Sequence, residues 1–358
     1  MLPVVRALRA CPRLEPIIVV TGQHREMLNQ VFEAFGDTPD IDLGLMSSGQ
    51  SLTDITVRVL SEIGRVCAET KPGLVLVHGD TTTAMASALA AFYARIPVGH
   101  VEAGLRSHDL NRPWPEEYNR ISVDAVAELC FAPTAVSAEN LRRESPRSRT
   151  IAVTGNTGID ALLYMAERVD DSVLGILEVK LDPTKRLVLV TGHRRESFGG
   201  GFDRICEGVA RIAARSDVEV IYPVHLNPQV KTVVQERLSG RSNVHLIAPV
   251  DYVRMVALMK RADIILTDSG GIQEEGPALG KPVLVMREVT ERPEALETGV
   301  VSLVGTDPEL MTQEVFRLLD DPTYYASRAR PVFPYGDGTA AQQIVDIVVE
   351  YAQTLGGA

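Results

Sequence analysis

Carboxylates that could exchange a proton with a substrate follow two short apolar runs in the amino-terminal half of the chain. Asp80 comes shortly after the run 74–77, and Glu102 comes directly after the run 98–101. Ligands of open α/β sheets bind at the carboxyl ends of strands, so both side chains are candidates for general acid or base catalysis. Asp80 also precedes a predicted helix over 84–94, where it would be an ordinary N-cap. The sequence leaves both roles open for Asp80.

A third carboxylate, Glu116, lies in the segment NRPWPEEYNR, residues 111–120. Pro115 occupies the position expected for a first helical residue, so Glu116 falls in the first turn of a predicted helix. A carboxylate there favours the positive end of the helix dipole and can pair with Arg120 four residues later. This structural role and a role in a site are both compatible with the sequence.

Cationic groups that could hold an anion lie in the carboxyl-terminal half. The apolar run 186–191 leads into His193 and Arg194, and three glycines follow at 199–201. A single histidine is more often structural, but this one is flanked by arginines at the turn that opens a second α/β alternation. Because ligands favour such turns, the pattern predicts a site at His193.

A second anion-binding turn is predicted within 262–283, ADIILTDSGGIQEEGPALGKPV. The first residues are typical of a buried strand, the residues 268–271 of a turn, and the following residues 272–279 of a helix. The two glycines would let N–H groups and the positive end of the helix dipole approach a phosphate. Glu274 or Glu275 follows within about two turns (3.6 residues each) and could then reach a ribose hydroxyl. A well-capped turn without a ligand fits this stretch equally well.

The composition limits the classes of protein to which the chain can belong. A length of 358 residues allows two domains with separate cores. A net charge of −11 argues against a nucleic-acid-binding protein, because such surfaces need an excess of basic residues. Four widely spaced cysteines provide neither a zinc site nor a disulfide framework, which suits a reducing cytoplasm. No apolar run approaches the ~20 residues of a membrane span, and no signal-peptide pattern opens the sequence, so we expect a soluble cytoplasmic protein.

The alternation of helical and strand patterns predicts an α/β fold with two doubly wound, Rossmann-like domains that face each other across a cleft. The first domain is predicted over 1–156 and the second over 157–337, with a last helix in 338–358 that packs back on the first. The first domain supplies the acids, and the second supplies the cations and the phosphate-type turn. No Gly-x-Gly-x-x-Gly fingerprint with a distal acid follows a strand, and no Walker motif is present, which argues against a dinucleotide site.

Seven blocks of the chain resemble the non-hydrolysing UDP-N-acetylglucosamine 2-epimerases of bacteria. They are HGDTTT (78–83), GHVEAGLR (99–106), PEEYNR (115–120), TGHRRESFG (191–199), YPVHLNP (222–228), TDSGGIQEE (267–275) and TERPEA (290–295). These blocks span nearly the whole chain in the family's order. The resemblance implies a fold like that of the B-type glycosyltransferases (GT-B) and a homodimer. It also implies reversible epimerisation of UDP-GlcNAc to UDP-ManNAc for surface polysaccharide synthesis, without a metal or nicotinamide cofactor.

The resemblance also implies a mechanism and a set of site residues. In this family UDP is eliminated to give a 2-acetamidoglucal and then adds back. The C2 proton is not activated by an adjacent carbonyl, so departure of the diphosphate must assist a carboxylate base on one face while a proton donor serves the other. The implied roles are acid or base for Asp80, Glu102 and Glu116, stabilisation of the leaving diphosphate for His193 and Arg120, phosphate binding for Ser269, Gly270 and Gly271, ribose binding for Glu275, and a place on the nucleotide side for Arg292.

The chain departs from the family pattern in two places. Family members open with a strand and a GTRPEAIK turn whose arginine and lysine serve the substrate site, whereas this sequence starts with a predicted helix over 4–9 and a strand over 16–21. We favour an internal start, and we expect a chain that truly began here to be poorly active. Many members also have a second, activating UDP-GlcNAc site. The residues that match it are Gln23, Glu116, Arg194 and His225, whereas Glu26 and Gly49 stand where a glutamine and an arginine are expected.

Three other functions compete with this interpretation. A UDP-sugar glycosyltransferase shares the two-domain cleft and the nucleotide-binding second domain, but it needs a surface for an acceptor. A hydrolysing epimerase would release free ManNAc and UDP. A catalytically impaired UDP-sugar-binding protein would leave the sugar unchanged. The full set of blocks favours the non-hydrolysing epimerase, whose expected ligands are UDP-GlcNAc, UDP-ManNAc and UDP.

Overall fold

The computed structural model describes residues 1–22, 25–47, 49–144, 149–177, 179–194 and 199–356. The chain forms two compact units, which we call unit 1 (Met1–Ala161 and Tyr335–Ala358) and unit 2 (Leu162–Pro334). The helices are α1 (Leu2–Ala10), α2 (Arg25–Phe35), α3 (Leu52–Thr70), α4 (Thr82–Tyr93), α5 (Glu116–Val126), α6 (Ala135–Glu144), α7 (Thr157–Ala166), α8 (Gly201–Ile212), α9 (Pro228–Leu238), α10 (Tyr252–Arg261), α11 (Gly270–Ala278), α12 (Pro293–Glu297), α13 (Pro308–Asp320), α14 (Pro322–Arg328) and α15 (Ala340–Gly356), with a 3₁₀ helix over Asp171–Leu177. The strands are β1 (Val19–Val20), β2 (Ile41–Asp42), β3 (Val75–His78), β4 (Val98–Val101), β5 (Leu129–Ala132), β6 (Thr150–Val153), β7 (Arg186–Thr191), β8 (Val218–Pro223), β9 (Val244–Ile247), β10 (Ile264–Thr267), β11 (Val283–Val285) and β12 (Val301–Leu303). Among the helices described, none is both long and apolar enough to cross a membrane.

Unit 1 contains two separate parallel sheets. β1 pairs with β2, and β3 to β6 pair in chain order. β4 and β5 are buried along their whole length because helices cover both faces of their sheet. On one face α1 and α15 pack through Val4, Leu8, Ile344 and Val348. On the other face, helices α4, α5 and α6 contribute small apolar residues such as Ala88.

The predicted strand over 16–21 is shorter in the structure. Only Val19 and Val20 form a ladder, with Ile41 and Asp42 of β2. A strand is stabilised by hydrogen bonds to its neighbours, and among the residues that the structure describes β1 pairs with β2 alone. The length of β1 therefore depends on its tertiary neighbours, which its own sequence does not reveal.

Unit 2 contains one six-stranded parallel sheet in the order β12-β11-β10-β7-β8-β9. The strand order reverses between β7 and β10, which are hydrogen-bonded neighbours. Their last residues, Thr191 and Thr267, are paired in register, and their hydroxyl oxygens lie 2.6 Å apart. The loops that follow these two strands therefore begin side by side at the topological switch point, where ligands of this fold bind.

Two predicted helix starts differ from the structure by one or two residues. α11 begins at Gly270 rather than at residue 272, because Ser269 is the extended N-cap residue and both glycines are helical. The two glycines are therefore not part of a turn, and their lack of a side chain is what would let a ligand approach the start of the helix. α5 begins at Glu116, with Pro115 as its N-cap residue rather than its first helical residue.

Candidate active site

Asp80 lies in the loop after β3 and is held by two side chains of α5. Arg120 Nη2 contacts Asp80 Oδ2 at 2.5 Å, and Asn119 Nδ2 donates to the Asp80 carbonyl oxygen at 2.9 Å. The N-cap of α4 is Thr81, whose hydroxyl accepts the N–H of Ala84. Of the two roles that the sequence leaves open, capping therefore belongs to Thr81. The Asp80 carboxylate instead pairs with Arg120 at the end of β3.

Glu117, rather than Glu116, is the helical partner of Arg120. Arg120 Nη1 lies 3.3 Å from Glu117 Oε2, so the expected pair with Glu116 is wrong. Glu117 is fully buried and accepts the backbone N–H groups of Ser107 and His108 at 3.0 Å. It thus holds the loop after β4 against α5. Glu116 is half-buried at the start of the same helix, one turn before Arg120.

Glu102 follows β4 and contacts His78, the last residue of β3. The distance from His78 Nε2 to Glu102 Oε2 is 3.2 Å. Burial lowers the pKa of His78, which favours the neutral imidazole. The backbone of Glu102 has a φ of 70°, in the left-handed region that is costly for residues other than glycine. Strain of this kind is typical of functional sites.

A buried pair, His100 and Asp124, connects the loops after β3 and β4 with α5. His100 Nδ1 lies 2.6 Å from Asp124 Oδ1, and His100 Nε2 lies 3.0 Å from the Gly79 carbonyl oxygen. Asp124 Oδ2 also accepts the N–H of Gly104 and contacts Arg106 Nη2 at 2.8 Å. Burial opposes ionisation, yet His100 and Arg106 hold the pKa of Asp124 below its ordinary value. The sequence alone does not predict this pair.

In unit 2, Asp268 organises the loop that follows β7. Its Oδ2 accepts the backbone N–H groups of His193 and Arg194, each at 2.7 Å, and its Oδ1 lies 3.3 Å from His193 Nδ1. Asp268 is completely buried, whereas the side chain of His193 is 44% exposed. The imidazole of His193 is therefore fixed by its backbone while its ring stays open to a ligand. The ring stacks on that of His225, with centroids 5.5 Å apart.

The amino end of α11 is surrounded by arginine side chains. A Cβ atom added at Gly270 would lie 3.4 Å from Glu291 Oε1, 3.6 Å from Arg194 Nη2 and 4.0 Å from Arg292 Nη2. Ser269 makes no capping hydrogen bond through its side chain. Together with the first N–H groups of α11, these side chains are donors of the kind that bind anions at helix termini. Glu291, which pairs with Arg194 at 3.4 Å, partly balances the charge.

Glu275 lies within the second turn of α11, beyond this anion site. Burial and the neighbouring Glu274 raise the pKa of Glu275 to about 8. The hydroxyl of Tyr252 donates to Glu275 Oε1 at 3.5 Å, and Arg292 Nε pairs with Glu274 Oε1. At neutral pH Glu275 is therefore mostly protonated and can both donate and accept a hydrogen bond.

Of the residues predicted for a second UDP-GlcNAc site, Glu116 lies at the start of α5 in unit 1. Arg194 and His225 lie in unit 2, where each is close to His193 or to the amino end of α11. Gln23 lies outside the described residues, as does the side chain of Glu26, so their contribution stays a prediction. Within the described part of the chain, no group of three or more His, Cys, Asp or Glu side chains could hold a metal ion.

Unit 1 thus carries carboxylates at strand ends, and unit 2 carries cationic side chains at a helix terminus that is followed by Glu275 and its partner Tyr252. Each set of groups is of a kind found at the carboxyl ends of strands in ligand-binding α/β proteins. The family model described as UDP-N-acetylglucosamine 2-epimerase matches residues 6–349. The chain therefore belongs to the UDP-N-acetylglucosamine 2-epimerase family, as the sequence blocks predict.

Individual relatives agree with this assignment. A UDP-N-acetylglucosamine 2-epimerase of Escherichia coli is 52% identical over 352 residues, which cover 97% of this chain and 94% of that protein. The crystal structure of UDP-GlcNAc 2-epimerase from Neisseria meningitidis bound to UDP-GlcNAc is 43% identical, with a TM-score of 0.88 and coverage of 97% of this chain and 95% of that one. An S. aureus MnaA–UDP co-structure is also 43% identical, with a TM-score of 0.84 and coverage of 98% and 92%. The predicted α/β class with two Rossmann-like, GT-B-type units is confirmed.

Proposed function

We propose that the chain is an isomerase that interconverts UDP-GlcNAc and UDP-ManNAc at C2 of the sugar, without a metal or nicotinamide cofactor. The observation that carries the proposal is the anion site at the amino end of α11, in a family with a member solved bound to UDP-GlcNAc. Arg292 supplies donors and positive charge on the nucleotide side of this site. Ser269 and the N–H groups of Gly270 and Gly271 supply further donors.

The nucleoside is recognised beyond this anion site. Glu275 binds the ribose in this proposal, and its raised pKa supports the role, because a protonated carboxyl group can donate to one hydroxyl and accept from another. Arg292 supports this role by pairing with Glu274, which keeps a second carboxylate from competing with the phosphates.

Asp80, Glu102 and Glu116 carry out the proton transfers. One carboxylate removes the C2 proton while the C1–O bond breaks, and the electron pair of that bond leaves with UDP. The product is 2-acetamidoglucal. An acid then protonates C2 from the opposite face as the diphosphate oxygen returns to C1, which restores the bond with inverted configuration at C2. His193 and Arg120 stabilise the charge on the departing diphosphate.

We propose a second, activating UDP-GlcNAc site that uses Arg194, His225 and Gln23. The stacking of His225 on His193 supports this proposal, because a ligand on His225 would act directly on the position of His193. Titration of UDP-GlcNAc tests it: activation gives a sigmoidal rate curve, and His225→Ala should make that curve hyperbolic. A hyperbolic curve for the unmodified chain would contradict the proposal.

We also propose a cytoplasmic homodimer that supplies ManNAc for surface polysaccharide synthesis. Phe92 and Tyr93, both more than half exposed at the end of α4, support a self-association surface. The free thiols of Cys67, Cys130 and Cys206 fit a reducing compartment. Light scattering of the purified chain measures the mass, and a monomer at all concentrations would exclude the dimer.

Proton NMR of UDP-GlcNAc incubated with the chain in deuterium oxide tests the proposed reaction. We expect UDP-ManNAc to appear, with deuterium at C2 in both sugars and no accumulation of UDP. Accumulation of UDP with free sugar would identify a hydrolysing enzyme instead. Binding without turnover would leave a UDP-sugar-binding protein, and transfer to an added acceptor would identify a glycosyltransferase.

A further inference from the structure

The loop that connects β11 to α12, residues 286–292, brings Arg292 to the amino end of α11. Arg292 is the N-cap residue of α12, and its Nη2 lies 4.0 Å from the position that a Cβ atom would take at Gly270. A residue in such a loop is not fixed by a strand ladder, so its position depends on hydrogen bonds to other parts of the chain. The contacts that hold Arg292 therefore decide where its guanidinium group meets a ligand.

Gln273, a completely buried residue of α11, contacts this loop from the helix. Its Nε2 donates to the carbonyl oxygen of Ser269 at 3.1 Å, and its Oε1 accepts the hydroxyl hydrogen of Thr290 at 2.5 Å. A buried amide without hydrogen-bond partners is costly, and both ends of this amide are paired. The amide of Gln273 is thus oriented by the residue that precedes α11, and its oxygen faces the loop.

The hydroxyl group of Thr290 connects Gln273 to Arg292. Its hydrogen is donated to Gln273, and its oxygen accepts the backbone N–H of Arg292 at 3.1 Å. A hydroxyl group can serve both purposes at once because it has one donor hydrogen and two acceptor lone pairs. The backbone of Arg292 is therefore tied to the start of α11 through two side chains.

The side chain of Arg292 is held separately by Glu274, the residue that follows Gln273 in α11. Arg292 Nε pairs with Glu274 Oε1, and Arg292 Nη2 faces the open side of Gly270. The contact of an arginine with a phosphate depends on the orientation of its planar group. A guanidinium group that is oriented before binding loses less conformational entropy when the ligand arrives, and more of the interaction energy remains as affinity.

We propose that Gln273 is a positioning residue for Arg292, which acts through the hydroxyl group of Thr290 and keeps Arg292 in place for the UDP part of the ligand. This inference rests on the proposed function, in which Arg292 contributes on the nucleotide side. The UDP part is bound before, during and after the change at C2, so loss of this arrangement should raise KM with little change in kcat. A variant that only folds less completely would instead lower the apparent kcat at an unchanged KM.

Thr290→Val and Thr290→Ser form a matched pair that tests the proposal. Valine has the shape of threonine without the hydroxyl group, whereas serine keeps the hydroxyl group. In calorimetry Thr290→Val should bind UDP about tenfold more weakly, which corresponds to about 1.4 kcal/mol, and Thr290→Ser should stay within about twofold of the unmodified chain. The KM for UDP-GlcNAc should rise by the same factor in Thr290→Val, with kcat within about twofold. Equal effects of the two substitutions, or a lower kcat at an unchanged KM, would overturn the proposal.

Gln273→Met extends the test to the buried amide, because methionine is also unbranched but has no amide group. This substitution should weaken UDP binding about tenfold as well. Combined with Thr290→Val it should cause no greater loss than either change alone, because both break the same connection. In an Arg292→Ala background, neither substitution should weaken UDP binding further. Additive losses, or a further loss in that background, would overturn the proposal.

UDP binding by the unmodified chain separates this inference from the proposed function. If the unmodified chain does not bind UDP, both are overturned. If it binds UDP and the valine and serine variants of Thr290 bind equally well, this inference alone is overturned. Where circular dichroism shows that Gln273→Met has not folded, the two Thr290 variants decide the question.

Discussion

Replacement of Glu275 by glutamine should remove a pH dependence of stability from unit 2. Burial and Glu274 raise the pKa of Glu275 from 4.5 to about 8. Between these two values the folded chain retains a proton that the unfolded chain has released, so the free energy of unfolding falls as the pH rises. With both values in the linkage relation, the contribution of Glu275 falls by about 2.5 kcal/mol between pH 5 and pH 7.

Urea denaturation of the unmodified chain and of Glu275→Gln at pH 5, 6 and 7 measures this contribution. Glutamine cannot ionise, so the stability of the variant relative to the unmodified chain should rise by about 2.5 kcal/mol over this range. Other carboxyl groups titrate equally in both proteins and cancel in the difference. Glu236→Gln, at an exposed position on α9, is the control and should show no such rise. A difference between Glu275→Gln and the unmodified chain that stays constant from pH 5 to pH 7 would refute the reasoning.

Three further predictions concern the two sites. Gly270→Ala should weaken UDP binding about tenfold in calorimetry, because its Cβ would enter the space beside Arg194 and Arg292. Gly271→Ala is the control and should bind UDP normally, because its Cβ would meet only the Ser269 hydroxyl at 3.9 Å. An equal loss of UDP affinity in both variants would contradict this view of the anion site. Arg120→Lys should lower kcat about 100-fold with little change in UDP affinity, because lysine cannot bridge both carboxylate partners; a normal kcat would exclude the proposed role. Asp124→Asn should lower the free energy of unfolding by about 3–5 kcal/mol at pH 7, because it breaks a buried charge pair. It should also flatten the decline of that free energy below pH 4, because the depressed pKa of Asp124 gives stability that is lost as the pH falls through that value. An unchanged acid-denaturation curve would contradict this prediction.

The sequence predicts where the candidate residues lie because strand ends are local features. Apolar runs followed by polar residues place Asp80, Glu102 and His193 at the carboxyl ends of β3, β4 and β7, and the structure has them there. The parallel arrangement of these strands then follows from the α/β alternation. Similarly, the phosphate-type turn at α11 depends on residues that are adjacent in the chain.

The partners that hold these residues in place could not be predicted, because they come from distant parts of the chain. Asp268 holds the backbone of His193 from 75 residues away, and Asp124 holds His100 from 24 residues away. Neither acid carries a local signal that separates it from a solvated carboxylate. The choice of Glu117 over Glu116 as partner of Arg120 depends on the rotation of α5 about its axis, which a first-turn sequence of two glutamates does not determine.

The two backbone hydrogen bonds to Asp268 also affect the thermodynamics of ligand binding. A loop that is ordered only by its ligand loses about 1–2 kcal/mol of backbone conformational entropy per residue fixed, and this loss is subtracted from the affinity. Here the loop residues His193 and Arg194 are already held through their N–H groups by a buried carboxylate. For this loop, more of the interaction energy with a diphosphate therefore remains as affinity, and binding should carry a correspondingly small entropic penalty.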